Sequence, residues 1–453
     1  AGGGGGRQPA GGGGTMRVHL VGVGGTQVSG LARVFLARGC DVSGCDLRES
    51  ETTRALASEG VRVAVGHDAS HVAGQELLVY STAVSGAGLA EVAAARAAGA
   101  RVLTRPEMLA ELIAGAESVA VAGAHGKTTV TFMAGHVLTA AGRDPTVLVG
   151  DGLSSRAGAG RWLVAEADES NGTLELHRPR HGVLTNVEFD HPDHFRDVEQ
   201  LDALFRRYLA VIPGVAVVCA DDERARAMPA PAAATRVTYG FAADADYRCV
   251  ESGEARARMF VVEHRGRGRL ATLGLRLAGR HNVQNATAAF AMAVELGVQP
   301  RAAAAALAEF PGAHRRLERL GTWRGAAVYD DYGHHPTEVR ATVAAARELG
   351  HRRVILVFQP HRYTRYRALR DEFADSLRAA DAVVVTEIYP AGEPNPGGVS
   401  AVDLAMRVPR ARFAPDLGSA RDHLEELVGE DDLVLVMGAG DIRRLGDELA
   451  HAG

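Results

Sequence analysis

A chain of 453 residues is about three domains long at roughly 150 residues each, and its 46% hydrophobic and 23% charged content excludes a disordered, collagenous or membrane-embedded protein. Fifty Lys and Arg against 55 Asp and Glu give a net charge of −5, with no basic footprint for nucleic acid, and 5% aromatics leave no stacking platform for single strands. Cys40, Cys45, Cys219 and Cys249 show no CxxC spacing, and no apolar run reaches a membrane span or a secretion signal, which together predict reduced thiols in a cytoplasmic enzyme without a membrane partner.

Nine of the 54 glycines fall within residues 1–15, a low-complexity leader predicted to be flexible, so the fold is read from Met16. From Arg17, short Val/Leu runs alternate with Ala/Leu/Glu/Arg segments of helical period, which predicts βα repetition and parallel sheets. Strands are expected over 18–23, 41–45 and 77–81, with a helix over 26–38. Pro106 precedes a helix over 107–114, and a second strand-loop-helix system starts at Val119. A third begins near Gly312 and supplies strands over 326–329, 354–358, 382–386 and 433–437, each closing in a polar or Gly-containing loop.

Chemistry concentrates at these strand ends. Gly22-Val-Gly-Gly-Thr-Gln-Val-Ser-Gly after the first strand, with Asp46 about twenty residues on, approaches a dinucleotide fingerprint. Its third position is Gln27 rather than Gly, so the more general reading is a helix N-terminus that receives a diphosphate. Next, Gly123-Ala124-His125-Gly126-Lys127-Thr128-Thr129 joins a strand to a helix. Its backbone N–H groups can wrap phosphate oxygens, Lys127 supplies a point charge, and Thr128 or Thr129 can ligate Mg²⁺. Two residues separate the glycines where the general phosphate loop has four. Glu166, Asp168 and Glu169 end the following apolar run, where a hydrated Mg²⁺ is held in such folds.

Asp190, His191, Asp193 and His194 offer metal-ligand chemistry that by itself permits a metallohydrolase but leaves the phosphate loop unexplained. In the last third, Tyr329-Asp-Asp-Tyr-Gly-His-His-Pro-Thr-Glu and Phe358-Gln-Pro-His-Arg-Tyr-Thr-Arg both follow strands. Arg362 and Arg365 can grip a carboxylate and His334 can relay a proton, although either motif alone also fits a salt-bridged surface loop.

As a set, the motifs resemble the Mur ligases of bacterial cell-wall synthesis. The resemblance rests on HLVGVGGTQVSGLA (19–32), SGCDL (43–47), GAHGKTT (123–129), AEADES (165–170), TNVEFDH (185–191), GRHNVQNA (279–286), FPGAHRRLE (310–318), DDYGHHPTE (330–338), FQPHRYTR (358–365), YPAGE (389–393) and MGAGDI (437–442), in the family's order. It implies an α/β fold of three domains: a Rossmann-like unit over 16–115, a central P-loop-type ATPase domain over 116–312 and a second Rossmann-like unit over 313–453. The implied reaction uses ATP to turn the carboxylate of UDP-N-acetylmuramate into an acyl phosphate, which the amine of L-alanine then attacks.

By position, the resemblance gives the ATP phosphates to residues 123–129, with Lys127 foremost, and Mg²⁺ (or Mn²⁺) to Thr128 and Glu166, with a second ion at His191. His281, Asn282 and Asn285 would lie at the adenine. Gly22, Gly24, Gly25, Ser29, Asp46, His67, Ser81 and Thr82 would receive the uridine diphosphate portion. Arg315, Tyr332, His334, Arg362 and Arg365 would close the site from the third domain, with Arg315 also reaching ATP and the others orienting L-alanine. Because water would destroy an acyl phosphate, the third domain is expected to close over the central one before chemistry. A monomer or weak homodimer is expected.

Three details depart from or refine the family pattern. Ala124 stands where the family's loop usually carries Thr. Residues 200–205 offer Asp202 but none of the lysine that other Mur ligases carbamylate, as in the alanine-adding branch. Phe189 resembles the recycling relative that attaches a preformed tripeptide, whereas AEADES and the two arginines of FQPHRYTR favour a small amino acid. Outside the family, the first domain alone would fit an NAD-dependent dehydrogenase, though without the third fingerprint glycine. A catalytically silent binding protein is disfavoured by the presence of the lysine, both candidate metal ligands and the arginines.

Overall fold

The structure, a computed structural model, describes residues 15–150, 153–170, 172–230, 232–251 and 259–452. The glycine-rich leader, but for residue 15, lies outside the described residues. Three sheets follow one another along the chain. In the first, β1 (Arg17–Val21), β2 (Asp41–Asp46), β3 (Arg62–Val65), β4 (Leu77–Tyr80) and β5 (Arg101–Thr104) run parallel in the order 3-2-1-4-5.

The second sheet has nine strands: β6 (Glu117–Ala122), β7 (Thr146–Leu148), β8 (Trp162–Glu166), β9 (His181–Leu184), β10 (Val215–Cys219), β11 (Thr235–Gly240), β12 (Tyr247–Glu251), β13 (Met259–His264) and β14 (Gly268–Gly274), ordered 14-13-12-11-10-9-6-8-7. The third comprises β15 (Glu318–Trp323), β16 (Ala326–Asp331), β17 (Val354–Phe358), β18 (Ala382–Thr386), β19 (Arg412–Ala414) and β20 (Leu433–Met437), ordered 15-16-20-17-18-19.

The fully apolar strands lie where both faces are covered. Val354–Phe358 (VILVF) and Leu433–Met437 (LVLVM) are buried throughout, with separate hydrophobic clusters on the two sides of their sheet. The central sheet is sandwiched in the same way, with helices Lys127–Ala140 and Arg280–Glu295 on one face and Val198–Ala210 on the other. Leu148, Leu163 and Ala165 of the central sheet join the core cluster of the first domain, so those two units share apolar packing. Gly30 permits this approach: a Cβ there would stand 2.8 Å from Ser155 Oγ and 3.2 Å from Leu148.

The expectation of parallel sheets needs two corrections. β13 and β14 form an antiparallel hairpin added to β12, and β15 is antiparallel to β16. These strands lie at sheet margins where one side stays open: in β13, Phe260 and Val262 are buried while Met259 is exposed, and β14 and β15 are mostly half-buried or exposed. Pro106 lies within the first turn of helix Arg105–Ala114 instead of before it, where its missing N–H costs nothing, and Thr104 and Glu107 close a capping box around it.

Candidate active site

Two of the helix N-termini without side-chain caps point into one cleft. Helix Thr26–Ala37 starts after Gly25, and helix Lys127–Ala140 after Gly126, whose φ of +82° is the left-handed conformation that glycine adopts freely. Neither has an acidic residue in its first turn, so both present free N–H groups and a positive dipole end to an anion. Both ends face a cleft of about 290 Å³ reached by all three domains. Thr26 and Gln27 line it from the first, Lys127, Thr128, Glu166 and His191 from the central one, and Arg316, Tyr332, His334, Arg362 and Arg365 from the third.

The phosphate-type loop is held rigidly from behind. Ala124 N donates to the Asn186 carbonyl at 3.2 Å and His125 N to Asn186 Oδ1 at 2.8 Å. Thr185 Oγ1 donates to the His125 carbonyl at 2.7 Å. The Ala124 and His125 amides are therefore engaged within the protein, and the open donors lie from Gly126 onward, a division that loop spacing does not reveal. Lys127 Nζ donates to the Gly123 and Ala124 carbonyls at 2.6 and 3.0 Å and to Glu169 at 2.9 Å.

Thr128 Oγ1 lies 3.0 Å from both Glu166 oxygens, and Gly150 N also donates to Glu166 at 2.7 Å. The hydroxyl and carboxylate thus converge as hard oxygen donors suited to Mg²⁺. His191, with φ +57°, turns its Nε2 to 3.7 Å from Glu169 and 3.6 Å from Asp190. Thr129 is buried in the first helical turn.

Charge is unevenly distributed among these groups. Burial lowers the Lys127 ammonium's pKa, but Glu169, Asp168 and Glu166 outweigh that and hold it charged. Burial likewise raises the Asp168 carboxyl, yet Lys127 and Arg105 bring it down to about 2. Glu169 goes the other way, pushed up to about 7 by burial with Asp168 adding to the push. Its second oxygen has no hydrogen-bond partner among the described residues.

The third domain supplies the cations. Arg365 Nε donates to Asp190 Oδ1 at 2.8 Å, and Arg362 NH1 to Asp193 Oδ2 at 2.7 Å. Burial, then Arg365, lowers His334 to about 4, so its imidazole is neutral. His334 Nδ1 faces the Tyr332 carbonyl at 3.0 Å, and because a carbonyl only accepts, Nδ1 carries the proton and Nε2 the lone pair.

His125 bridges the two domains: Nε2 is 3.0 Å from Glu188 and Nδ1 is 3.2 Å from Glu338. Two carboxylates require two donors, so the ring is an imidazolium. Burial opposes that charge, but the hydrogen bonds it donates to Glu188 and Glu338 raise its pKa to about 10. Thr337 Oγ1 adds a 2.7 Å bond to Glu188, and His335 Nε2 faces the Phe189 carbonyl at 3.3 Å.

Arg315 lines the same cleft and Asn285 stands against its loop, while other sequence-predicted residues are engaged within the protein or lie outside the cleft. The guanidinium of Arg315 is taken by Asp330 (3.0 Å) and the Gly438 carbonyl (2.6 Å), while its neighbour Arg316 reaches Thr128 Oγ1 at 3.4 Å. Arg316 went unselected because nothing in a tandem Arg-Arg says which side chain faces the cleft. Gln27, whose Nε2 donates to Asp168 at 3.3 Å, Glu188 and Glu338 are not marked by the sequence either, because each gains its meaning from a distant partner. Asn285 stands against Gly126, whose Cβ would meet Asn285 Oδ1 at 2.6 Å. Asn282 Nδ2 donates to the Ala278 carbonyl, and His281 lines a separate groove with Asp221, Phe241, Arg280 and Gln284.

Gly22, Gly24, Gly25, Asp46, Ser81 and Thr82 gather at the carboxyl ends of β1, β2 and β4. There Gly24 N donates to Asp46 at 2.9 Å, and a Cβ on Gly22 would touch Ser81 at 3.2 Å. Ser29 is fully buried with Oγ on the Thr26 carbonyl, and His67 packs against Cys45 and Glu91.

Family models match in chain order: the Mur ligase family catalytic domain over residues 17–117, the Mur ligase middle domain over 121–293 and the Mur ligase glutamate ligase domain over 315–440. The UDP-N-acetylmuramate–L-alanine ligase of Paenarthrobacter aurescens is 42% identical over 448 residues, covering 96% of this chain and 97% of the relative. That of Renibacterium salmoninarum is 43% identical, with 96% of each covered. The crystal structure of UDP-N-acetylmuramate-alanine ligase from Thermotoga maritima superposes with a TM-score of 0.79 at 30% identity over 96% of this chain and 98% of that one. A murein peptide ligase from Psychrobacter arcticus shares the fold, with a TM-score of 0.73 at 24% identity over 96% and 98%. With three matching domain models in family order and near-full-length relatives above 40% identity, the chain belongs to the Mur ligase family.

Proposed function

We propose that the chain joins L-alanine to the carboxylate of UDP-N-acetylmuramate, with the γ-phosphoryl group of ATP passing to that carboxylate to give ADP and an acyl phosphate, from which the amine of L-alanine displaces phosphate. The observation that carries this reading is the meeting, in one cleft, of a phosphate-type loop, the Thr128/Glu166 oxygen pair and the third-domain cations Arg316, Arg362 and Arg365. The three sheets then divide the work over 16–115, 116–312 and 313–453: sugar nucleotide first, ATP second, amino acid third.

A carboxylate approaching a γ-phosphate brings two anions together, and Lys127, the helix end after Gly126 and Arg316 offset that repulsion as charge spreads onto the transferring group. Thr128 and Glu166, with His191 for a second ion, are the residues that would hold Mg²⁺, whose bound charge screens the phosphates. Once the acyl phosphate exists, the amine needs proximity and a free lone pair. His334 Nε2 accepts a hydrogen bond from that amine, while Arg362 and Arg365 set the carboxylate of the amino acid. The contacts of Arg365, Arg362, His335 and Thr337 with residues 188–193 keep water from the intermediate.

The test is an ADP-release assay with UDP-N-acetylmuramate, Mg²⁺ and, in turn, L-alanine, glycine, L-serine and the tripeptide. Release that requires L-alanine is the expected result. Release with the tripeptide alone would replace the reading with peptide recycling, to which Phe189 points.

A further inference from the structure

A second constellation lies inside the first domain, away from the cleft. His19 on β1 and Cys45 on β2 project from the same sheet face, because the parallel register pairs His19 with Ser43 and Val21 with Cys45. Glu91, from helix Ala87–Ala97, and His71, from the 3-10 turn Ala69–Val72, come down onto that face. One ligand atom from each of the four lies within 4.8 Å of the other three. Cys45 Sγ is 3.0 Å from Glu91 Oε2, and His71 Nδ1 is 2.6 Å from Glu91 Oε1. His67 stands beside them, with Nδ1 3.2 Å from the sulfur and 3.1 Å from Glu91.

We infer that His19, Cys45, His71 and Glu91 form a binding site for a thiophilic divalent cation of the zinc class. Three observations carry this beyond an ordinary buried polar network. The set mixes one sulfur, two imidazoles and one carboxylate, which are zinc ligands and not the all-oxygen set of Mg²⁺ or Ca²⁺. His19 is 1% exposed, yet its Nε2 has no hydrogen-bond partner among the described residues, a costly arrangement in a packed interior. Charge also closes: a thiolate and a carboxylate neutralise a divalent ion, with both imidazoles neutral.

A cation bound here would displace the proton of the Cys45 thiol to solvent. His71, a quarter exposed, gives the ion its way in. Bound there, the cation would tie helix Ala87–Ala97 and the turn before it to the sheet.

The inference stands apart from the ligase reading and is tested without activity. The whole chain, purified without a polyhistidine tag, is analysed for zinc by plasma mass spectrometry, and metal-stripped protein is titrated with Co²⁺. About one equivalent of zinc and a thiolate-to-cobalt charge-transfer band are expected, the band vanishing in Cys45→Ser and persisting in Cys40→Ser. His71→Ala should weaken Co²⁺ binding at least ~10-fold. It decides the matter should Cys45→Ser not fold, because its ligand reaches the surface. Folded wild-type protein that takes up no zinc and gives no such band overturns the site, as does a band that survives Cys45→Ser or Co²⁺ affinity unchanged in His71→Ala.

Discussion

Arg365 of the third domain and Asp190 of the central domain form an ion pair at 2.8 Å with side chains only 3% and 6% exposed. Burial opposes the charge on Asp190, but the guanidinium outweighs it and holds the carboxyl well below its usual range. Two separate sheets are thus joined at the cleft by a contact that fails badly if halved. Removing one member of such a pair strands the other without solvent, at a cost of about 3–5 kcal/mol.

Arg365→Ala should therefore lower both thermal stability and kcat/KM for L-alanine, the latter by about 10²-fold. Asp190→Asn combined with Arg365→Met should restore much of the stability and none of the activity. Calorimetry beside the ADP-release assay separates the two effects. Recovery of activity in the double variant would show the pair to be structural alone.

Lys127→Ala should cut kcat by on the order of 10³-fold while leaving the affinity for UDP-N-acetylmuramate nearly unchanged. Among the described residues Lys127 Nζ hydrogen-bonds to the phosphate-type loop and Glu169, whereas the glycine turns after β1 belong to another sheet. Isothermal titration with the sugar nucleotide checks the second half. Loss of sugar binding would mean that the sugar lies in the central domain.

Gly123→Ala should impair the loop by geometry rather than chemistry. Its φ of +130° strains any side chain, and a Cβ would stand 2.1 Å from Thr185 Oγ1. Destabilisation of about 1–3 kcal/mol is expected, with a raised KM for ATP, measurable by denaturant melts and steady-state kinetics. Wild-type values of both would show that the loop relaxes more easily than its packing implies.

The His125 bridge predicts a pH dependence. Its folded pKa of about 10 lies above the ordinary 6.5, so its contribution is complete below about 6.5 and declines through the interval until it is gone above about 10. Glu188, brought down to about 2 against the opposition of burial by its bond to His125, contributes above about 4.5 and loses that contribution as pH falls through 2. The melting-temperature gap between wild type and His125→Gln should be widest near pH 5–6 and close by pH 10. A gap independent of pH would mean that the ring is not held as an imidazolium.

Much of the fold was legible because strand and helix periods, glycine turns and polar strand ends are local properties. Strands 354–358 and 433–437 and the loop of residues 123–129 stand where the periodicity puts them. Edge strands were less legible. The partner and direction of β13, β14 and β15 depend on which sheet margin is open, and a single strand's residues do not encode that.

By itself the sequence determined which chemical groups the protein owns and the order in which they arrive: a phosphate-type loop, a carboxylate cluster, a histidine-aspartate turn and an arginine-rich strand end. Only the tertiary structure decided which of them act together. Arg315 and Leu317 both adopt positive φ, 56° and 48°, so neither strand nor helix alternation predicts that Arg316 faces Thr128 while Arg315 turns to Asp330. Likewise Glu338 meets His125 across 213 positions, and His19, Cys45, His71 and Glu91 converge from four elements. Residue type is written locally, whereas the distances that turn type into pairing, protonation and metal affinity exist only after long-range packing has closed the chain upon itself.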